Sequence, residues 1–276
     1  MADLTMARLH EGMVILYAAS LVFYFIDYLN NNKIIHRSAF WILTIVFLLQ
    51  TGFLISYMIG MKRFPVLSLF EGIYFYAWLL LTLSILLHLF YKVGYAVFFL
   101  NVIGFIFMTI HTFAPIQIEQ SPIGEALISE LLFIHITFAI LSYTLFSAAF
   151  VFAVLYLFLY TLLKKKKWSK QFSRLPSLQQ TATGMKVAIY IGIPVLFISL
   201  ILGMQWAHVA LSEWSLFDMK IMGSFFLIAV YGSVLFLQRS GKLIANDFAW
   251  ANIFAFLFVI INFFLGSKLS GFHFWM

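Results

Sequence analysis

Eight long apolar stretches dominate the chain, and each is long enough to cross a lipid bilayer. A transmembrane helix needs about 20 mostly apolar residues, and only 10% of the 276 residues are charged, compared with about 25% in soluble domains. The sequence therefore predicts an all-α, polytopic integral membrane protein in which residues 1–276 form a single helical bundle domain. The expected spans cover about residues 12–29, 38–61, 72–91, 94–114, 131–163, 184–207, 219–237 and 248–268.

Basic residues concentrate in alternate loops, which gives an expected orientation. Lys and Arg are enriched in short cytoplasmic loops, and most of the 17 basic residues lie in the loops after spans one, three, five and seven. Both termini are then extracytoplasmic. The same distribution explains the net charge of +7 without nucleic acid as a partner. The first apolar stretch lacks a clear small-residue cleavage site, so we expect it to remain as a span.

The fifth apolar stretch is longer than a bilayer crossing requires. At about 1.5 Å per residue it extends about 50 Å, so its basic end at Lys164–Lys167 is expected to project into water. Residues 164–180 then form a basic cytoplasmic loop. The lysine run is a topology anchor, and it could also contact anionic lipid or an acidic cytosolic partner.

Histidines concentrate near the expected outer ends of the spans. Ionisable residues near membrane depth usually face the bundle interior or a wet cavity. His88 lies near the inner side without an evident partner, so a packing role is expected for it. The chain contains no cysteine, which excludes thiolate metal sites and covalent haem attachment. The histidines near the outer ends are His10, His111, His135, His208 and His273.

A tryptophan-rich segment joins spans six and seven on the same outer side. Trp commonly lies at headgroup level, so this segment can be an interfacial aromatic belt. In the alternative interpretation it is a shelf on which a porphyrin lies flat. The shelf would be formed by Trp206, Trp214 and Phe217, with Asp218 and Lys220 at its polar margin.

The tryptophan-rich segment resembles the "WWD" loop of the cytochrome c assembly family (CcsA and CcmC types). Trp206, Ala207, Asp218 and Lys220 match that loop without a gap, whereas Met219 replaces the family's proline. Two further segments are similar to family elements, and the likeness covers about residues 60–276. They are Phe64–Glu71, which is similar to F-P-x-x-N-x-Y-E, and Leu132–Tyr143, which is similar to H-V-x-x-x-x-x-x-Y.

The resemblance implies an outward-facing site for non-covalent, b-type haem. His135 matches a family histidine expected to ligate the haem iron, and imidazole is a standard axial ligand; a hydrogen-bonded histidine inside the bundle is the alternative. The second family histidine corresponds to His273, displaced by about three residues, which could equally be an interfacial tail residue. His208 and His111 are substitutes for it.

The resemblance also assigns Pro65, Glu71 and His208 to cofactor binding. Glu71 has a structural alternative, because carboxylates favour helix N-termini and this one precedes the third span. The departure at Phe236, where CcsA-type relatives carry a further histidine, weakens an inner-to-outer haem path through the chain.

The weakened tryptophan signature with eight spans is similar to the HemX-type branch of the family. That resemblance implies a protein of the bacterial plasma membrane that regulates tetrapyrrole biosynthesis through the amount of glutamyl-tRNA reductase. The partner would be this cytosolic enzyme, reached through the Lys164–Arg174 loop. Two imidazole ligands leave no open position on the iron, which favours storage, sensing or hand-over of haem over enzymatic chemistry.

Three other functions remain open from the residues. The chain could transport or present haem for cytochrome c biogenesis, although the incomplete tryptophan loop argues against it. It could transport a small solute, for which intramembrane acids and broken helices are typical; Asp27 and Pro194 are the available evidence. It could also be a scaffold that binds no haem and recruits a cytosolic partner.

Overall fold

The computed structural model describes residues 2–30, 32–91, 94–113, 130–166, 175–211 and 214–269. These residues form eight helices and no strand, and all eight helices are long and apolar enough to cross a membrane. The all-α, multi-pass class predicted from the sequence is confirmed. The helices are α1 (Ala2–Asn30), α2 (Lys33–Met61), α3 (Leu69–Tyr91), α4 (Gly94–Phe113), α5 (Glu130–Lys164), α6 (Leu178–Ala210), α7 (Met219–Arg239) and α8 (Ala245–Leu269).

Several helices begin earlier than the apolar stretches that predicted them. The start of α6 at Leu178 is fixed by a capping box, in which the Gln180 backbone N–H donates to Ser177 Oγ (3.1 Å) and the Ser177 N–H donates to Gln180 Oε1 (2.8 Å). At the start of α2, the Asn32 side chain accepts from the backbone N–H of Ile34. Hydropathy locates the part of a helix that lies in hydrocarbon, whereas capping side chains decide where the helix begins.

The chain divides into two compact units, of which unit 1 contains α1–α4 and unit 2 contains α5–α8. In unit 1 the closely packed helix pairs are α1–α2 and α1–α4. A buried polar chain joins three helices, because Tyr17 donates to Asn101 Oδ1 (2.8 Å) and Asn101 Nδ2 donates to Ser84 Oγ (2.8 Å). Such pairing satisfies polar groups that have no water partner in a membrane. The expected single bundle domain stays a prediction.

Unit 2 is organised around α5 and α6, which form its most extensive helix contact. Side chains of α5 lie directly on glycines of α6, because a Cβ placed at each glycine would come within 3 Å of them. Small residues allow this close approach of membrane helices. Helix α6 continues through Pro194, so this proline does not mark a broken helix. The pairs are Phe152 on Gly184, Phe146 on Gly192 and His135 on Gly203.

Candidate functional site

His135 lies in the second turn of α5 and is joined to α6 by two hydrogen bonds. Its Nδ1 is 2.7 Å from the carbonyl oxygen of Ser199, and the Ser199 hydroxyl donates to the carbonyl oxygen of His135 at 2.8 Å. A carbonyl oxygen can only accept, so the proton of the neutral ring belongs on Nδ1. The lone pair with which an imidazole ligates a metal is then on Nε2.

Gly203 sets the position of the His135 ring. A Cβ at Gly203 would lie 2.6 Å from ring atoms, so the imidazole packs directly on the backbone of α6. The hydrogen bond to Ser199 and the seat on Gly203 together fix the ring's orientation. A metal-ligating histidine is typically held in this way, with its second ring N–H donated to a carbonyl or a carboxylate.

The tryptophan-rich segment is divided between the interior of unit 2 and its surface. Trp206, one turn after Gly203 on α6, is buried with 5% of its surface exposed. His208 is exposed and contacts half-buried Trp214 edge-on, with ring centroids 6.0 Å apart. Phe217 is 83% exposed. The described residues of this segment therefore do not form one continuous aromatic surface.

Asp218 and Lys220 occupy the start of α7. Asp218 caps the helix, since its Oδ1 accepts from the backbone N–H of Lys220 at 2.9 Å. The Lys220 ammonium donates to the carbonyl oxygen of Asn262 (3.1 Å) and lies 5.6 Å from the ring centroid of Phe263. It is also close enough for electrostatic interaction with His135. A cation therefore lies near the candidate ligand inside unit 2.

A polar network continues from Lys220 into the interior of unit 2. Asn262 Nδ2 donates to the hydroxyls of Tyr143 (3.2 Å) and Ser224 (3.4 Å). Tyr143 follows His135 by two turns of α5, about 12 Å along the helix. The sequence did not identify Ser199, Gly203 or Asn262 as neighbours of the site. Their role depends on the rotation of α6 and α8, which spacing along the chain does not give.

Pro65 and Glu71, assigned to cofactor binding by resemblance, belong to a different part of the chain, at the start of α3. Pro65 is buried. Glu71 accepts two hydrogen bonds from Arg63, at 2.9 and 2.7 Å, and one from the Tyr57 hydroxyl at 2.6 Å. The hydrogen bond to Glu71 raises the pKa of Arg63 above its usual value. These contacts support the structural interpretation of Glu71, and its role in cofactor binding stays a prediction.

His111, a substitute ligand, is paired with another histidine in unit 1. Its Nδ1 donates to the carbonyl oxygen of Phe70 at 3.1 Å, and its ring centroid is 5.7 Å from that of His10. His10 in turn stacks on Phe53. The sequence placed both histidines near one expected membrane face, and the structure makes them neighbours. His273 lies outside the described residues.

Comparisons with known proteins agree with the resemblance seen in the sequence. The profile of the family described as "Cytochrome C assembly protein" matches residues 66–273. Protein HemX of Bacillus subtilis (strain 168) is 47% identical over 273 residues, which cover 99% of each chain. Protein HemX of Brevibacillus brevis is 37% identical over 267 residues, which cover 97% of each chain. The chain is a member of the cytochrome c assembly family, and its likeness to HemX proteins extends over nearly its whole length.

Proposed function

We propose that this protein binds haem at a site in unit 2 built around His135, and that it regulates haem biosynthesis. The observation that carries the proposal is the fixed ring of His135, with Nδ1 donating to Ser199 and the ring seated on Gly203. This arrangement makes Nε2 the ligating atom. It matches what a haem iron requires of an axial imidazole.

The donor set of the described residues fits haem better than a bare metal ion. No group of three or more histidine or acidic side chains in the described ranges is arranged to hold an ion. A haem brings four nitrogen ligands and asks the protein for two axial ligands only. His135 would be one of them, and His273, His208 or His111 would be the other. The half-buried ammonium of Lys220 would pair with a carboxylate of the ligand.

The competing interpretation of His135 is that it only fills space between α5 and α6. Phe146 occupies the equivalent seat on Gly192, so packing alone is satisfied there by an apolar ring. The imidazole adds the pair of contacts with Ser199 and lies near a lysine. These polar features favour ligation.

The regulatory part of the proposal concerns the cytoplasmic side of the membrane. The relatives are named HemX, and the resemblance drawn from the sequence implies control of glutamyl-tRNA reductase. Lys164, Lys165 and Lys166 are exposed at the end of α5; residues 167–174 of the loop lie outside the described ranges. We place the protein in a bacterial plasma membrane with both termini outside, so these lysines face the cytosolic enzyme.

An absorption spectrum of the detergent-purified protein tests the haem site. We expect a Soret band with the α and β bands of low-spin haem, and we expect His135→Ala to diminish all three. Phe152→Leu is the matched control, because it alters the same helix pair at Gly184 without touching His135. Equal haem content in His135→Ala and the wild type would contradict the assignment.

The cytosolic partner is tested separately from haem binding. Replacement of Lys164–Lys167 by glutamine should reduce recovery of glutamyl-tRNA reductase in a pull-down from membranes. Haem content should stay unchanged in that variant. Full recovery of the enzyme would refute the role of the basic loop.

The family match over residues 66–273 favours one second candidate, which is presentation of haem to an apocytochrome. The two functions differ in what is lost when the gene is deleted. Regulation predicts altered reductase levels with normal cytochrome c, whereas presentation predicts loss of cytochrome c at normal reductase levels.

A further inference from the structure

A second histidine pair lies in unit 1, near the C-terminal ends of α1 and α3 and the start of α2. The ring centroids of His36 and His88 are 5.5 Å apart, and the ring planes differ by 25°. Phe40 stacks on the far member, His88, at 4.0 Å and 14°. We call these residues, together with Tyr24 and Asp27 of α1, the His36 cluster.

Asp27 fixes the orientation of His36. Its Oδ2 lies 2.9 Å from His36 Nδ1, and its side chain is 8% exposed. A carboxylate inside a membrane span is costly unless it is paired or functional. A histidine whose Nδ1 is held by a carboxylate presents Nε2 on the other side of the ring, as in carboxylate–histidine–metal triads.

Tyr24 provides an independent sign that the cluster accommodates a ligand. Its ring lies edge-on to His36 at 5.7 Å, and 4% of its surface is exposed. Its hydroxyl has no hydrogen-bond partner within the described part of the chain. A buried polar atom left in this state usually marks a ligand or a catalytic role, because an unpaired hydroxyl is expensive to bury.

The composition of the cluster identifies the class of ligand. Asp27 is engaged in orienting His36, and no set of three histidine or acidic ligands is present in the described ranges, so a bare ion would be under-coordinated. An iron porphyrin needs two axial imidazoles. Their ring centres are about 6 Å apart, since each metal–nitrogen bond is about 2 Å long, and the observed separation is close to this.

We infer that His36 and His88 are the axial ligands of a second haem, with Asp27 as the residue that positions His36. This inference rests on the proposed function, since it takes haem as the ligand. Lys33 and Arg37 are exposed beside His36 and supply positive charge for the propionates. In the expected orientation this end of unit 1 faces the cytosol. The site would then report haem on the side where glutamyl-tRNA reductase works.

Titration of the full-length, detergent-purified protein with hemin tests the inference. The wild type should take up two haem equivalents, and His36→Ala, His88→Ala and His135→Ala should each lose one. If His36→Ala and His88→Ala bind as much haem as the wild type while His135→Ala loses it, the inference is overturned and the proposed function stands. Loss in the unit 1 variants alone would support the His36 cluster and remove the assignment to His135. A wild type that takes up no haem refutes both.

Conservative variants separate ligation from folding. His88→Met keeps a possible axial ligand, so we expect it to retain the second haem with an altered spectrum and a higher reduction potential. Asp27→Asn should retain haem with a shifted potential, because the carboxylate no longer acts on the ligand. Tyr28→Phe, at the same end and in contact with Tyr95, is the control and should match the wild type. A His88→Met spectrum and potential identical to the wild type would overturn the inference.

Discussion

The two units are held together by different kinds of contact. In unit 2, side chains of α5 and α8 lie on the glycines of α6 and α7, so that helices approach at backbone distance. In unit 1, α3 is joined to its neighbours through side chains, including the hydrogen bond from Trp78 to Thr51 and the Arg63–Glu71 ion pair. A histidine in unit 2 is therefore positioned by backbone, whereas the histidines of unit 1 are positioned by one another and by aromatic or acidic partners.

This difference follows the extent of the family match. Unit 2 lies almost entirely within residues 66–273, and its site at His135 is the one that the family resemblance points to. His10, Asp27 and His36 precede the matched region. The histidine pairs of unit 1 are thus built by joining α1 and α2 to helices that belong to the family core.

The largest effect is expected at the ion pair of unit 1. Glu71→Ala leaves Arg63 without its bidentate partner, and breaking a largely buried pair costs about 3 kcal/mol. Thermal unfolding in detergent measures the loss. Glu11→Ala is the control, because the Arg8–Glu11 pair is exposed and such pairs contribute less than about 1 kcal/mol. Equal effects of the two substitutions would show that side-chain pairs do not hold α3 in place.

A somewhat smaller effect is expected where unit 2 relies on glycine. Gly203→Val places a side chain where the His135 ring now lies, and overpacking of this kind costs about 2 kcal/mol. It should also lower haem content, because the ring must move. Gly232→Ala, in α7 with open space around it, should be neutral or slightly stabilising. A Gly203→Val protein with unchanged stability would show that the close seat is not required.

The fold could be predicted from the sequence to a large extent, because the positions of the spans depend on apolar runs alone. The eight helices contain the eight expected spans to within a few residues, apart from α1, which begins at Ala2. Helix rotation could not be predicted. For that reason His135 was identified through its resemblance to a family motif, while Ser199 and Gly203, which hold it, were not.

His88 shows the same limit in unit 1. The sequence gave it no partner, since His36 is 52 residues away along the chain and nothing in the spacing links α2 to α3. The structure places the two rings 5.5 Å apart. A pattern can indicate which side chains are unusual in a membrane span, but the packing of non-adjacent helices decides which of them meet.

The smallest effect is expected at the polar network of unit 2. Asn262→Leu and Tyr143→Phe remove the two ends of a 3.2 Å hydrogen bond between α8 and α5, and interhelical hydrogen bonds of membrane proteins contribute about 0.6 kcal/mol on average. A double-mutant cycle by thermal unfolding isolates this coupling from the packing that each substitution also disturbs. Because unit 2 is held by close packing, the coupling should be well below that of Arg63 with Glu71 in the same assay. A coupling as large as that of the ion pair would mean that hydrogen bonds, and not the glycine seats, hold unit 2 together.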